Sequence, residues 1–178
     1  MDSRVLLSAG VVAWLGAAGC DSTEKREAER AAATAALNQR AAVIERLDAM
    51  HAAAAKADLP GYMACFAPDA VFLGTDSSER WPMGDFAKFC EFYFKQDKGW
   101  DYRAIPGRRF VSFSPDASMA WFDEALTNDN LGECRGSGVL RRSPAGWQVV
   151  QYNLTIPVPN ELAPRVVQLI RERGPGSR

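Results

Sequence analysis

Asp123 is the residue whose type and neighbours best suit chemistry on a bound molecule. It follows Trp121 by two positions in the stretch MAWFDEALT, and alternation along a strand puts both side chains on one face. A carboxylate in an apolar site has a raised pKa and can serve as a general base. Arg135, in the next strand-like stretch, can instead pair with Asp123. That pair would be structural or would orient a ligand, and all three readings stay open.

Amides form the second candidate group, in the stretch GWQVVQYNLTIPVPN. Strict alternation puts Trp147, Val149, Gln151, Asn153 and Thr155 on one face of this strand. That face begins apolar and becomes polar halfway along. From the residues alone, it either emerges into solvent or lines a wet pocket.

Arg80 and Trp81 form the third group, in the stretch TDSSERWP. The planar guanidinium of Arg80 can hold a carboxylate, and the indole of Trp81 can stack on a ligand ring. The alternative is a solvated turn that Trp81 closes as an apolar plug.

The sequence gives little support for a metal site, a cofactor site or a nucleic-acid-binding surface. His51 is the single histidine, and it has no cysteine or glutamate at ligand spacing, so no metal site is predicted. We expect His51 to be a hydrogen-bonded residue at the edge of a helix's apolar face, and the alternative is a catalytic role. No nucleotide or dinucleotide motif is present, so no cofactor is predicted. The 21 basic and 22 acidic residues give a net charge of -1, which does not suit a nucleic-acid partner. Arg108, Arg109, Arg141 and Arg142 are expected at solvated strand ends, and the alternative is a local basic patch.

The N-terminus has the pattern of a processed leader. Residues 1–19 contain one early positive charge and then an uncharged apolar run that is short for a membrane span. The run ends in small residues before Cys20, which resembles a bacterial lipobox. We therefore expect a lipoprotein signal peptide over 1–19 and lipidation of Cys20. The exported protein would then be anchored to the bacterial membrane on its periplasmic or extracellular face.

The remaining chain predicts an α+β domain. Residues 20–40 are charged and alanine-rich, as expected of a helical tether, residues 41–160 form the folded domain, and 161–178 are a tail with a short helix. Three helical stretches come first, and Asp58 is positioned to cap the second. Strand-like stretches follow, one of them bent at Pro106–Gly107. Helices followed by consecutive strands predict helices packed on one face of a sheet.

The remaining cysteines, Cys65, Cys90 and Cys134, fit buried thiols, with their disulfide state open.

This order of elements resembles the SnoaL-like branch of the nuclear transport factor 2-like superfamily. The matching text includes DLPGYMACFAPDAVFLGTDSSERW, AWFDEAL, GECRGSGVL and GWQVVQYNLTIPVPN. The resemblance implies a cone, in which a curved antiparallel sheet wraps around three N-terminal helices and leaves a pocket at the open end. In that cone Gln151 and Asn153 would face the cavity, with Gly136 and Gly138 leaving space beside them. The turn carrying Arg80 and Trp81 would overhang the mouth.

Three functions are consistent with this cone. The first is a non-catalytic domain that binds a small, partly apolar molecule or a peptide end. Its expected ligand-binding residues are Arg80, Trp81, Trp121, Arg135, Gln151 and Asn153. The second is an isomerase, dehydratase or cyclase with Asp123 as the base, and the third is an association module with a filled interior. The resemblance implies a homodimer in each case.

Overall fold

The computed structural model describes residues 18–173, with side chains from residue 23 onward. The helices and strands follow in chain order: α1 (Ala18–Ala55), α2 (Leu59–Met63), β1 (Phe66–Leu73), β2 (Arg80–Pro82), α3 (Met83–Phe94), β3 (Arg103–Phe113), β4 (Met119–Asn128), β5 (Gly132–Ser143), β6 (Gly146–Thr155) and α4 (Ala163–Arg173). The predicted α+β class is confirmed.

The chain divides between Gln39 and Arg40 into two compact units. In the first unit, residues 23–38 of α1 are exposed. The predicted leader lies mostly outside the described residues, as does the side chain of Cys20, so the leader and the lipidation remain predictions. None of the helices within residues 18–173 combines the length and apolar character needed to cross a membrane.

The six strands form one sheet in the order β2-β1-β6-β5-β4-β3. All neighbouring pairs are antiparallel except β1 and β6, which run parallel. This parallel pair differs from the purely antiparallel sheet that the resemblance implied. Four strands, β2 to β5, lie between β1 and β6 along the chain, so the two strands meet through a long crossover rather than a hairpin.

Local sequence explains how the helices begin and end. Ala57 takes a positive φ of 54°, and the Asp58 amide donates to the Ala53 carbonyl at 2.9 Å, which ends α1 in a Schellman-type turn. The Asp58 side chain then accepts from the Gly61 amide at 3.0 Å and caps α2, as predicted. The bend in β3 is also confirmed, since Gly107 has a φ of 74° and the β3–β4 register shifts there.

The core lies between the helices and the concave face of the sheet. One helical face of α1 buries Val43, Leu47 and Met50, and α3 buries Phe86, Cys90 and Phe94. The three cysteines of this unit are free and buried, as expected, and burial raises the pKa of the Cys90 thiol to about 12. The sheet supplies the opposite wall, and the candidate site lies between that wall and the helices.

Candidate functional site

Strand β6 turns its amides away from the core. Trp147 and Val149 are buried, as expected, but Val150 is an extra residue, because Leu140 pairs with Val149 and Val139 pairs with Gln151. This bulge changes the alternation, since two consecutive residues then share the outer side. Gln151 is consequently exposed.

Beyond the bulge, Tyr152 and Leu154 are the buried residues, and Asn153 between them is half-buried. Tyr152 and Leu154 line a cavity that neither Gln151 nor Asn153 lines. The predicted inward direction of the two amides is therefore wrong. The cause is the single inserted residue, which exchanges the two faces of the strand.

Strand β4 likewise presents its outer face where the sequence suggested a site. Trp121 is 50% exposed and Asp123 is exposed. Asp123 lies opposite Ser137, and Arg135, also exposed, lies opposite Ala125. No ion pair joins Asp123 to Arg135 in the described part of the chain. The expectation that Asp123, Trp121 and Arg135 surround the cavity is wrong, because β4 and β5 turn their other faces inward.

The inward face of β4 carries Phe122, Glu124 and Leu126, all buried. A glutamate between two apolar residues at a spacing of two is a sequence signal of a buried charge that needs partners. The spacing of Phe122, Glu124 and Leu126 therefore marks Glu124, rather than Asp123, as the carboxylate on the inward face.

The cavity opens between the helices and the inner face of the sheet. Its volume is about 170 Å³. Aromatic rings form much of the wall, from α2, β1, β2 and α3: Tyr62, Phe72, Trp81, Phe86 and Phe89. Thr75 lines the cavity and is exposed, so the cavity reaches the surface there.

Of the two turn residues, Trp81 lines the cavity and Arg80 does not. Trp81 stacks on Phe89 with ring centroids 5.1 Å apart. Arg80 is exposed on the short strand β2, so its predicted contact with a ligand in this cavity has no geometric support.

The remaining wall contains further aromatic residues and one histidine. Trp100 and Tyr102 lie just before β3 and line the cavity. Tyr152 also lines it and stacks on Phe72, with the two ring centroids 5.4 Å apart. His51, on α1, contributes its imidazole. Eight of the fifteen lining residues are aromatic, counting tryptophan, tyrosine and phenylalanine, so the cavity suits flat apolar molecules.

His51 is bonded to the buried carboxylate behind the wall. Its Nε2 lies 2.7 Å from Oε1 of Glu124, and the side chains are 12% and 0% exposed, respectively. The Tyr152 hydroxyl donates to the same oxygen at 3.1 Å. The prediction of a hydrogen-bonded His51 at the edge of the helix is confirmed, but its partner and its place in the cavity wall were not foreseen.

The other carboxylate oxygen of Glu124 is held by Arg109. Nε of Arg109 donates to Oε2 at 2.7 Å, and Nη1 donates to Asp48 at 2.7 Å. The Arg109 side chain is 11% exposed, so its expected place at a solvated strand end is wrong. Within residues 23–173, Nη2 of Arg109 is the one buried side-chain nitrogen or oxygen without a hydrogen-bond partner.

Glycine in β5 makes room for this cluster. A Cβ placed on Gly136 would lie 2.2 Å from the Tyr152 hydroxyl oxygen and 2.8 Å from Oε1 of Glu124. From the sequence, Gly136 is predicted to leave space beside the amides. It leaves space on the inner face instead, for the tyrosine and the carboxylate.

Electrostatics fix the protonation of the cluster. Burial raises the pKa of Glu124, but the hydrogen bond from His51 and the charge and hydrogen bond of Arg109 outweigh that effect and hold the pKa below its usual value. Burial raises the pKa of Tyr152 and of Tyr62 well above the usual value. The carboxyl group is therefore ionised at neutral pH, and both phenols keep their protons.

The described residues contain no group of three or more histidine, cysteine, aspartate or glutamate side chains arranged to hold a metal ion. The chemistry that the arrangement can perform is acid–base chemistry and hydrogen bonding. His51 is a titratable group at a cavity wall with a fixed carboxylate behind it, which is a recurrent arrangement for a general base.

Comparison with known proteins identifies the domain. The SnoaL-like domain family matches residues 43–159. No curated protein matches the chain significantly. Among solved structures, a domain of unknown function with a cystatin-like fold from Nostoc punctiforme is similar with a TM-score of 0.61 and 16% identity, over 74% of this chain and 85% of that one.

Two further structures carry proposed activities in their names. One is a proposed aromatic ring hydroxylase from Novosphingobium aromaticivorans, with a TM-score of 0.57 and 17% identity over 69% of this chain and 92% of that one. The other is a proposed dehydratase of the NTF2-like family from Streptomyces avermitilis, with a TM-score of 0.56 and 12% identity over 66% of this chain and 94% of that one. At such identities the similarity establishes the fold alone.

Proposed function

Since the chain belongs to the SnoaL-like domain family and has an open cavity in its curved-sheet fold, we propose that it binds a small, largely apolar molecule containing one ring. The observation that carries this proposal is the cavity itself, with eight aromatic side chains among its fifteen lining residues. A volume of about 170 Å³ suits one substituted ring, since a dry cavity of ~150 Å³ holds benzene. An open cavity also gives no support to a pure association module with a filled interior.

Ligand screening of the full chain tests this proposal. We expect single-ring compounds to raise the melting temperature and to change the fluorescence of Trp81 and Trp100, which line the cavity. A ligand at roughly 100 times its dissociation constant stabilises the folded state by about 2.7 kcal/mol. No shift across a broad set of such compounds would contradict the proposal.

A matched pair of variants locates the binding. Ala54 lines the cavity, whereas Ala52 lies on the same helix and is exposed. Ala54→Leu should fill part of the cavity and remove the ligand-induced shift. Ala52→Leu adds the same side chain to the surface and should leave the shift unchanged. Equal effects of the two substitutions would place the ligand elsewhere.

The second candidate is an acid–base enzyme in which His51, rather than Asp123, is the base. The contact that favours it is the 2.7 Å bond between His51 Nε2 and buried Glu124, because such a carboxylate orients the imidazole and stabilises its charged form. A screen of isomerisation and dehydration substrates with His51→Gln tests it, with Asp123→Asn as the control. Turnover that survives His51→Gln would remove His51 as the base.

Export and lipid anchoring through Cys20 also belong to the proposal, and their support is the leader-like sequence of residues 1–20. Two or more acyl chains would attach the protein stably to a membrane. Expression of the whole chain in a bacterial host should place it in the membrane fraction with labelled palmitate incorporated. Cys20→Ala should abolish the labelling, and labelling that persists in this variant would contradict the assignment.

A homodimer through the outer face of the sheet completes the proposal. Phe110 and Trp121 are 60% and 50% exposed on the neighbouring strands β3 and β4, and aromatic side chains are enriched at protein–protein interfaces. Light scattering should give twice the mass of one chain, and Trp121→Glu should halve it. A monomeric parent protein would rule the dimer out.

A further inference from the structure

The two ring nitrogens of His51 have different surroundings. Nε2 lies 2.7 Å from Glu124 Oε1, and that carboxylate also accepts from Arg109 and Tyr152. An ionised carboxylate can only accept hydrogen bonds, so Nε2 must carry a proton. In the neutral imidazole, Nδ1 therefore carries the free lone pair.

Nδ1 of His51 is unpartnered in the described part of the chain and is accessible. No hydrogen bond joins it to another described residue, yet it is absent from the buried unpartnered atoms of residues 23–173, which include only Nη2 of Arg109. The His51 side chain lines the cavity and is 12% exposed, so Nδ1 is the ring nitrogen that remains free to bond a molecule in that space. An accepting nitrogen thus lies on an otherwise mostly aromatic wall.

Other polar groups of the wall complement this acceptor. The hydroxyls of Tyr62 and Tyr102 have no hydrogen-bond partner among the described residues, and both side chains line the cavity. Burial raises the pKa of both phenols, so they remain neutral donors for an oxygen that becomes negative.

The carboxylates at and behind the cavity wall favour a ligand that enters uncharged. Behind His51, the carboxylates of Glu124 and Asp48 flank the guanidinium of Arg109, and Glu79 adds a carboxylate to the lining. A ligand that arrives as an anion meets Glu79 and loses its hydration in an aromatic cavity. A ligand that arrives neutral and ionises only beside His51 avoids both costs. The carboxylate of Glu124 then stabilises the imidazolium that forms.

We propose that the cavity takes single-ring phenols and that His51 Nδ1 accepts the phenolic proton. The O–H bond of the ligand breaks, an Nδ1–H bond forms, and the oxygen keeps the electron pair as a phenolate. The new imidazolium remains bonded to Glu124 through Nε2. This inference rests on the proposed binding function and adds the chemical class of the ligand to it.

Matched ligands separate the two proposals. The full chain is titrated with para-nitrophenol, para-nitroanisole and para-nitrotoluene, and binding is followed through tryptophan fluorescence. We expect para-nitrophenol to bind about tenfold or more tightly than the ether or the toluene derivative. A hydrogen bond to a charged group contributes enough free energy for an affinity difference of that size. Equal affinities overturn the inference and leave the binding function intact. Absence of binding by all three overturns both.

Proton transfer has its own signature. Below the pKa of the free phenol, the bound phenol should show the long-wavelength absorption band of the phenolate, which the ether cannot show. The band should disappear in His51→Gln and in Glu124→Gln, with circular dichroism confirming that each variant is folded. Asp123→Asn, on the outer face of the same strand, should keep it. A phenolate band that persists in His51→Gln overturns the inference whatever Glu124→Gln does.

Discussion

Asp123 and Glu124 are adjacent carboxylates on strand β4 with opposite environments. Glu124 is 0% exposed and is bonded to His51, Arg109 and Tyr152. Asp123 is exposed and has no ion pair among the described contacts. The difference shows that the face a strand turns inward decides which carboxylate belongs to the site, whereas the residue types alone favour neither.

The largest expected effect is on the free energy of unfolding, which should fall on substitution of Glu124 but not of Asp123. Glu124→Gln keeps the shape but leaves Arg109 buried without its main counter-charge, and breaking a buried pair costs about 3–5 kcal/mol. Asp123→Asn changes an exposed group and should stay within about 0.5 kcal/mol of the parent. Urea unfolding measures both, and similar losses in the two variants would contradict the assigned faces.

A smaller effect tests the space that the buried cluster occupies. Gly136→Ala would push a methyl group against the Tyr152 hydroxyl, whose ring is fixed by stacking on Phe72. Overpacking of this kind costs about 1–3 kcal/mol. Gly84, in α3, has nothing within 4 Å of an added Cβ, so Gly84→Ala should be neutral or stabilising by less than about 1 kcal/mol. A tolerated Gly136→Ala would mean that the cluster is looser than described.

The sequence predicted the elements better than the site, for a physical reason. Helical spacing, the cap at Asp58 and the bend at Gly107 are local signals, and the structure confirms the helices, the cap and the bend. The bulge at Val150 has no comparable signal, since its neighbours are ordinary strand residues. One inserted residue reverses every later side chain, so strict alternation placed Gln151 and Asn153 wrongly.

Local sequence patterns also could not predict the partners of Glu124. They come from α1, β3 and β6, and the distances along the chain reach 73 residues for His51. A pattern of period two can show that Glu124 lies between apolar residues on one face. It cannot show which distant side chains supply the proton and the positive charge, because those contacts depend on how the sheet packs on the helix.

Acidification should distinguish the two carboxylates by titration. The folded-state pKa of Glu124 is lowered from its usual 4.5, so its contribution to stability is fully present above that pH. The contribution is lost as the pH falls through the lower folded-state pKa. The stability gap between the parent and Glu124→Gln should therefore narrow below about pH 4.5. The gap between the parent and Asp123→Asn supplies the control. A Glu124→Gln gap that widens on acidification would contradict an ionised Glu124.

The smallest expected effects are those of two substitutions on the outer face of β6, with Tyr152 on the inner face as the contrast. Gln151→Ala and Asn153→Ala alter the outer face, so each should change stability by less than about 0.5 kcal/mol and leave ligand affinity unchanged. Tyr152→Phe, between them, removes only the hydroxyl that donates to Glu124 at 3.1 Å, and hydrogen bonds to charged groups contribute about 1.5–3 kcal/mol. Unfolding and ligand titration of the three variants measure this contrast. Weaker binding in either alanine variant, with Tyr152→Phe unaffected, would restore the amides to the cavity and remove the bulge at Val150 as the cause of their outward direction.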